Sequence, residues 1–383
     1  MAEFKLTRLK KEDCGKLIEF LNNVFSAHNG KKMHFEKSLP HIFCENDNTM
    51  AYHIAAKDNG KICGCAGTYP LRYYVGADTL KVGVIENVAV DTNYRNRGIM
   101  QSIMNKMNDD NKAEGYDICF LLGDRKRYSH FGFDRCGVEY NFHITTSMLG
   151  KKYGENEYEY RVITKDDAEL ICEAHKLYSS ANAYVVKAKE ELYSSLTANN
   201  LTPYAVITRS GDFAGCFCTD ESKSILSKIA IKDKNILTDI LREHLRNNSL
   251  RVLYISVPEY SEYFDVLFNN CDRYQIYQPG CFKINNFQKV VECYMRQKNE
   301  CGYLPDGKVT INSDLFGKWK IEKATDKITV EEFDGEAQIT LLGMEVYSFL
   351  FGTASPKCDG VEKSLIPLIK TWFPLPLYLP SYS

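Results

Sequence analysis

Two short stretches of this chain hold residue types that could do chemistry together. The first, residues 84–104, runs from the apolar positions Val84, Ile85, Val88 and Val90 into a basic turn, Arg95, Asn96, Arg97 and Gly98. Ile99, Met100, Ile103, Met104 and Met107 follow at helical spacing, so the turn opens into a helix. A strand feeding a helix N-terminus presents unpaired amides and the positive end of the helix dipole. With two arginines beside it, that is a site for a phosphate or pyrophosphate. Gly98 lets the backbone approach such a ligand with no Cβ in the way. Neither the Gly-x-Gly-x-x-Gly of a dinucleotide fold nor the Gly-Lys-Ser/Thr of a P-loop occurs at this turn. The second stretch follows an apolar strand at 116–122. Gly123 and Asp124 break that strand, a short helix carries Tyr128 and Phe131, and Gly132 ends it. Taken alone, Tyr128 reads more readily as a core or capping tyrosine than as a catalyst.

The elements that must position these residues occur twice. An amphipathic helix with Leu17, Ile18, Leu21 and Phe25 on one face follows a strand at 4–9; a second, with Leu170, Ile171, Ala174 and Leu177, follows a strand at 158–163. A hairpin turn at Asp58-Asn59-Gly60-Lys61 precedes the strand 62–67, and Arg209-Ser210-Gly211-Asp212 precedes the strand 213–217. The same order at nearly the same interval argues for a duplicated α/β unit. The copies differ where the chemistry would be. In the second, the strand 228–231 leads through Lys232, Asp233, Lys234 and Asn235 straight into a helix. That turn is shorter, has no glycine, and places Asp233 where a phosphate would be repelled. The first copy is expected to bind the cofactor; the second is expected to pack against it and wall the substrate cleft.

From about Ile284 the pattern changes to a helix at 285–295, short alternating runs at 308–312, 316–322, 327–333 and 337–342, and a helix at 343–351. This predicts a smaller α+β domain. The chain ends in a tail with Pro374, Pro376 and Pro380 among aromatic and leucine residues; it cannot be helix or inner strand, and its apolar content predicts burial in a groove. A length of 383 residues allows two or three domains. A net charge of −2 gives no electrostatic case for nucleic acid or anionic membrane as a partner. No apolar run reaches membrane-span length and no secretory signal core opens the chain, so a cytoplasmic location is expected. The 14 cysteines lie scattered in apolar segments, without the Cys-x-x-Cys pairs of zinc or redox sites. They read as small buried hydrophobes in a reducing compartment, and no metal is expected.

The turn Arg95-x-x-Gly98 resembles the acetyl-CoA pyrophosphate loop of the GNAT N-acetyltransferase superfamily, Arg/Gln-x-x-Gly-x-Gly/Ala; Met100 departs from the usual Gly or Ala. Tyr128-Ser129-His130-Phe131-Gly132-Phe133 resembles the Tyr-x-x-Phe-Gly-Phe/Tyr segment of the same enzymes. In order and length the whole chain is similar to acetyltransferases of the enhanced intracellular survival type. The resemblance implies two tandem GNAT-fold domains of α/β (α+β) class, the second degenerate, and a C-terminal sterol-carrier-protein-like α+β domain. The boundaries expected are 1–147, 148–283 and 284–383, with the tail of the third domain reaching the active site of the first. It further implies acetyl transfer to a primary amine of a small cationic substrate, aminoglycoside-like or polyamine-like, by a homohexamer.

On that resemblance, Val88, Ala89, Val90, Arg95, Arg97, Gly98, Ile99, Met100, Gln101 and Ser102 hold acetyl-CoA. A strand amide stabilises the carbonyl oxygen as it gains charge, and Tyr128 protonates the departing thiolate. The attacking amine needs a base. The resemblance offers the terminal carboxylate of Ser383, although those relatives commonly end on an aromatic residue; Glu86, on the strand just before its expected bulge, is the rival. A third candidate for the base, His130, reads more readily as a surface residue of the short helix. Two other readings remain open: acetylation of protein lysines or N-termini, and a non-catalytic regulatory protein that binds acetyl-CoA or, in its third domain, a lipid.

Overall fold

The computed structural model describes residues 4–379 apart from 40–41, 44 and 151–155. It is a mixed α/β molecule with three sheets. The first sheet runs, in spatial order, Lys5–Arg8, His53–Asp58, Lys61–Val75, Asp78–Val90, Ile118–Leu121, Gly280–Ile284 and Asp134–Cys136. The second runs Tyr158–Val162, Thr202–Thr208, Phe213–Thr219, Ile225–Ile231, Val252–Val257, Glu139–Thr145 and Arg273–Tyr277. An eighth strand, Ala183–Val186, pairs with the far end of Lys61–Val75 in the first sheet; apart from it the two orders match strand for strand. In each, the fourth and fifth strands pair in parallel and their neighbours antiparallel.

The match has one twist. Glu139–Thr145 follows the first unit in sequence but lies in the second sheet, between Val252–Val257 and Arg273–Tyr277. Gly280–Ile284 follows the second unit but lies in the first sheet, between Ile118–Leu121 and Asp134–Cys136. Each copy lends its last strand to the other. The alternation of apolar residues reports that a strand exists, and it carries no record of which sheet the strand joins.

The helices cover the sheets as their apolar stripes require. Cys14–Asn29 buries Leu17, Phe20 and Leu21, and Ile99–Ala113 buries Ile99, Ile103, Met104 and Met107 against the first sheet. Ala168–Tyr178 and Leu237–Asn247 do the same for the second. The third sheet, Lys327–Glu332, Gly317–Ala324, Gly307–Ser313 and Ile339–Leu341, packs with the helices Phe287–Cys301, Glu345–Phe351 and Ile366–Trp372. Its core is continuous with the far side of the first sheet, through Tyr69, Tyr73, Val84 and Phe282.

The tail is buried as far as it is described: Phe373, Leu375, Leu377 and Leu379 are all in that core. Several of the carbonyls in and beside it accept hydrogen bonds. Lys298 Nζ donates to the carbonyls of Trp372 and Pro374 at 3.1 and 2.9 Å, Tyr294 Oη to that of Tyr378 at 3.0 Å, and the Val138 amide to that of Leu377 at 3.0 Å. Most of the described cysteines are buried thiols, as their apolar settings predict. No helix among the described residues is long and apolar enough to cross a membrane.

Candidate active site

The strand Asp78–Val90 pairs with Ile118–Leu121 only from Val82↔Ile118 to Ile85↔Leu121. Beyond that the partner turns away at Leu122 and Gly123, and the edge of residues 86–90 faces an opening instead of a neighbour. On the other side, the pairing with Lys61–Val75 shifts register between Cys65↔Ala89 and Gly67↔Glu86. Asn87, at φ 58°, sits in the resulting bulge. The bulge turns the strand at the point where its backbone becomes free to meet a ligand.

Three hydrogen bonds hold that bulge from behind. Asn87 Nδ2 donates to Tyr69 Oη at 2.7 Å, Tyr69 Oη contacts His53 Nε2 at 2.7 Å, and His53 Nδ1 contacts the Met50 carbonyl at 3.3 Å. A carbonyl only accepts, so Nδ1 carries the imidazole proton, Nε2 accepts, and the tyrosine hydroxyl donates to it. The direction of the chain is thereby fixed. Burial holds His53 neutral, pushing its pKa down to about 4, and pushes the Tyr69 phenol well above its ordinary value. None of the three was singled out by sequence, because they come from three strands.

Ahead of the bulge the chain crosses Thr92–Tyr94, passes Asn96 and Gly98 at φ 61° and 76°, and enters the helix Ile99–Ala113. The left-handed turn at Gly98 is open, with nothing within 4 Å of where a Cβ would stand. The first intrahelical bond runs from the Ser102 amide to the Gly98 carbonyl at 2.9 Å. The amides of Ile99, Met100 and Gln101 therefore lie ahead of the hydrogen-bonded ladder.

A cavity of about 920 Å³ lies over this helix end. Val88, Ala89, Val90, Arg95, Gly98, Ile99, Met100 and Gln101 line it, as expected from sequence. Arg97 and Ser102 do not. Arg97 turns back, donating to the Asn93 carbonyl at 3.1 Å with its guanidinium 4.9 Å from the Tyr94 ring centre, and the Ser102 hydroxyl donates to the Gly98 carbonyl at 3.1 Å. Sequence reasoning passed over most of the far wall, Phe25 and His28 from Cys14–Asn29 and Lys126 and Arg127 from the turn after Ile118–Leu121; His130, weighed as a base and expected at the surface, also lines the cavity. The carboxylate of Asp124 also lines the cavity, and it accepts from the Arg127 amide at 2.9 Å as a helix cap. With Arg95, Lys126 and Arg127 around it, the cavity suits a polyanion.

Tyr128 does not line this cavity. It is buried beside it, in a cluster with Ile85, Leu121, Phe133 and Cys281. Its ring lies across Gly123, where a Cβ would stand 2.3 Å from its Cε2. The Gly that ends the strand thus makes room for the tyrosine five residues later. Burial raises the Tyr128 pKa, and the nearby Arg127 opposes that shift. The turn itself is anchored through the Phe131 carbonyl, which accepts from Asn108 Nδ2 at 3.1 Å and Lys283 Nζ at 3.0 Å. Lys283 belongs to the strand lent by the second copy. Glu86 is half-buried next to the bulge, and its charge contributes to the raised pKa of Tyr69. Ser383 lies outside the described residues; the last described ones, Tyr378 and Leu379, line a different opening in the second sheet.

These features define a class. Residues 5–136 match the family model of the acetyltransferase (GNAT) domain. By that domain the chain is an acetyltransferase, of a type that uses an acyl-CoA donor. Solved structures share the fold of the whole chain. It is similar over 99% of its length, and 98% of the other chain, to a probable N-acyltransferase from Enterococcus faecalis, at 11% identity and a TM-score of 0.69. A GCN5-related N-acetyltransferase from Anabaena variabilis is similar over 97% of each chain, at 14% identity and a TM-score of 0.67. Eis1 from Mycobacterium abscessus is similar over 98% of each chain, at 11% identity and a TM-score of 0.66. At these identities the likeness is one of fold. No curated protein matches the chain in sequence.

Proposed function

We propose that this protein transfers an acetyl group from acetyl-CoA to a primary amine of a small cationic substrate, aminoglycoside-like or polyamine-like. The observation that carries the donor half of this reading is the cationic cavity at the open helix end, contiguous with the free edge of the bulged strand. In it the diphosphate would meet the amides of Ile99, Met100 and Gln101 and the Arg95 side chain. The pantetheine arm would pair with the strand edge along Val88, Ala89 and Val90. The acceptor half rests on the resemblance to the enhanced intracellular survival type and on the fold shared with Eis1. The division into a catalytic first unit, a degenerate second and a sterol-carrier-like third, and assembly into hexamers, belong to the same proposal.

The reaction needs little more than positioning. The amine nitrogen attacks the thioester carbonyl, whose oxygen gains charge and accepts from the strand amide just past the bulge, at Val88. The carbon–sulfur bond breaks, and the thiolate takes its proton from Tyr128, a phenol that is protonated at neutral pH. The amine gives up its proton to a base, either Glu86 beside the bulge or the terminal carboxylate of Ser383.

Thiol release with acetyl-CoA and a panel of an aminoglycoside, spermidine and a lysine peptide tests this reading. The expected result is amine-dependent release with the first two. Tyr128→Phe should lower kcat by about 10²-fold or more with little change in KM, the range for removing a general acid. Release with none of the amines, or an undiminished Tyr128→Phe variant, would refute it.

A further inference from the structure

Two buried groups beside the open strand, His53 and Tyr69, take no part in the reaction as written. Their hydrogen-bonded chain ends on the side chain of Asn87, which stands between Glu86, a candidate base, and Val88. The backbone of Asn87 is held as well: its carbonyl accepts from the buried thiol of Cys65 at 3.5 Å. In a planar trans peptide the following N–H points the opposite way. The Val88 amide is thereby turned away from that thiol, and Val88 lines the donor cavity.

Room for the chain is built into the neighbouring strand. A Cβ at Gly67, the residue paired with Glu86, would stand 2.9 Å from Tyr69 Oη and 3.0 Å from His53 Cδ2. The second copy makes the same bulge with other side chains. There the pair Cys218↔Ser227 takes the place of Gly67↔Glu86, and the residue of positive φ is Lys228, at 49°. Its Nζ donates to the Ser195 carbonyl. The fold can therefore form this bulge without the His53–Tyr69–Asn87 chain. What the chain adds is one fixed orientation of the Asn87–Val88 peptide, in the copy that holds the donor cavity.

We propose that Tyr69, backed by His53, is a positioning residue for acetyl transfer: through Asn87 it holds the Val88 amide where the carbonyl oxygen gains charge. The inference rests on the transfer reaction proposed above. Donor affinity should be indifferent to the chain, because the diphosphate is held elsewhere, at the helix end. The rate of the chemical step should depend on it, because an oxyanion donor acts only when it is aimed in advance.

The test measures amine-dependent thiol release and, by calorimetry, acetyl-CoA affinity, for the full chain and for Tyr69→Phe, Asn87→Gly and the two together. Glycine keeps the positive φ of the bulge and removes the tether. Each single variant should lower kcat about tenfold or more. KM and Kd for acetyl-CoA should stay within about twofold of the native values. The double variant should lose no more than either single one, since both cut the same bond. Thermal melts show which variants are folded at the assay temperature; if Tyr69→Phe is not, Asn87→Gly decides alone. An unchanged kcat, a loss that lies in donor affinity, or additive losses would overturn the proposal and leave acetyl transfer standing. No release by the native protein would refute the transfer reaction, and this role with it.

Discussion

At the scale of single residues, the best-supported groups are those whose neighbours explain them. Tyr128 needs Gly123 beneath its ring, and Asn87 needs Tyr69 and His53 behind it. The first dependency was half legible: Gly123 and Tyr128 sit five residues apart in a motif-bearing turn. The second was not, because Asn87, Tyr69 and His53 lie 18 and 16 residues apart and meet only when three strands align. The His53 imidazole makes a pH prediction. Its folded pKa, about 4, lies below the ordinary 6.5, so folding favours the neutral ring. The stability this confers is fully present above pH 6.5 and is lost as pH falls toward 4. Between pH 7 and pH 5 the native protein should lose about 2 kcal/mol of unfolding free energy more than a His53→Gln variant does. Urea melts of both at the two pH values check this; equal losses would show that the ring titrates normally.

At the scale of elements, the strand–turn–helix that builds the donor site was readable because its signals are local. Apolar alternation ends at Val90, the glycine of positive φ falls at the helix start, and the stripe of Ile99, Ile103, Met104 and Met107 faces the sheet. The turn of Arg97 away from the cavity was not readable, since spacing says nothing about which of two neighbouring arginines stacks on Tyr94. Lys126 and Arg127 were passed over for a related reason: they reach the cavity from the turn after another strand. The fit of that turn onto its strand is tight, and the close approach at Gly123 has a cost if altered. Gly123→Ala should destabilise the protein by about 1–3 kcal/mol through overpacking against Tyr128, and should lower kcat as the ring is displaced. A thermal melt paired with the thiol-release assay reads both; an unchanged melting temperature would mean that the ring is free to move aside.

At the scale of the molecule, the duplication was legible and the exchange was not. Repeated landmarks announced two copies of one unit, and the absence of a glycine from the second turn announced that they differ; Asp233, singled out in the sequence, caps its turn as Asp91 caps the first. Nothing in the periodicity of 139–145 or 280–284 could say that each strand crosses to the other sheet, because an apolar strand satisfies either edge equally well. The exchange predicts that residues 1–147 will not fold alone. Without Gly280–Ile284, the edges of Ile118–Leu121 and Asp134–Cys136 lose their partner, and Lys283 no longer anchors the Phe131 carbonyl. Expressed alone the fragment should be insoluble or lack dispersed NMR signals, and co-expression with residues 148–383 should rescue it; a folded, soluble fragment would contradict the exchange. The central claim is that the open helix end after the bulged strand grips an acyl-CoA. Calorimetric titration of acetyl-CoA into the full protein tests it most directly. One site per chain is expected, weakened at least tenfold by Gly98→Val and by Arg95→Ala. No heat of binding, or affinity untouched by either substitution, would contradict it.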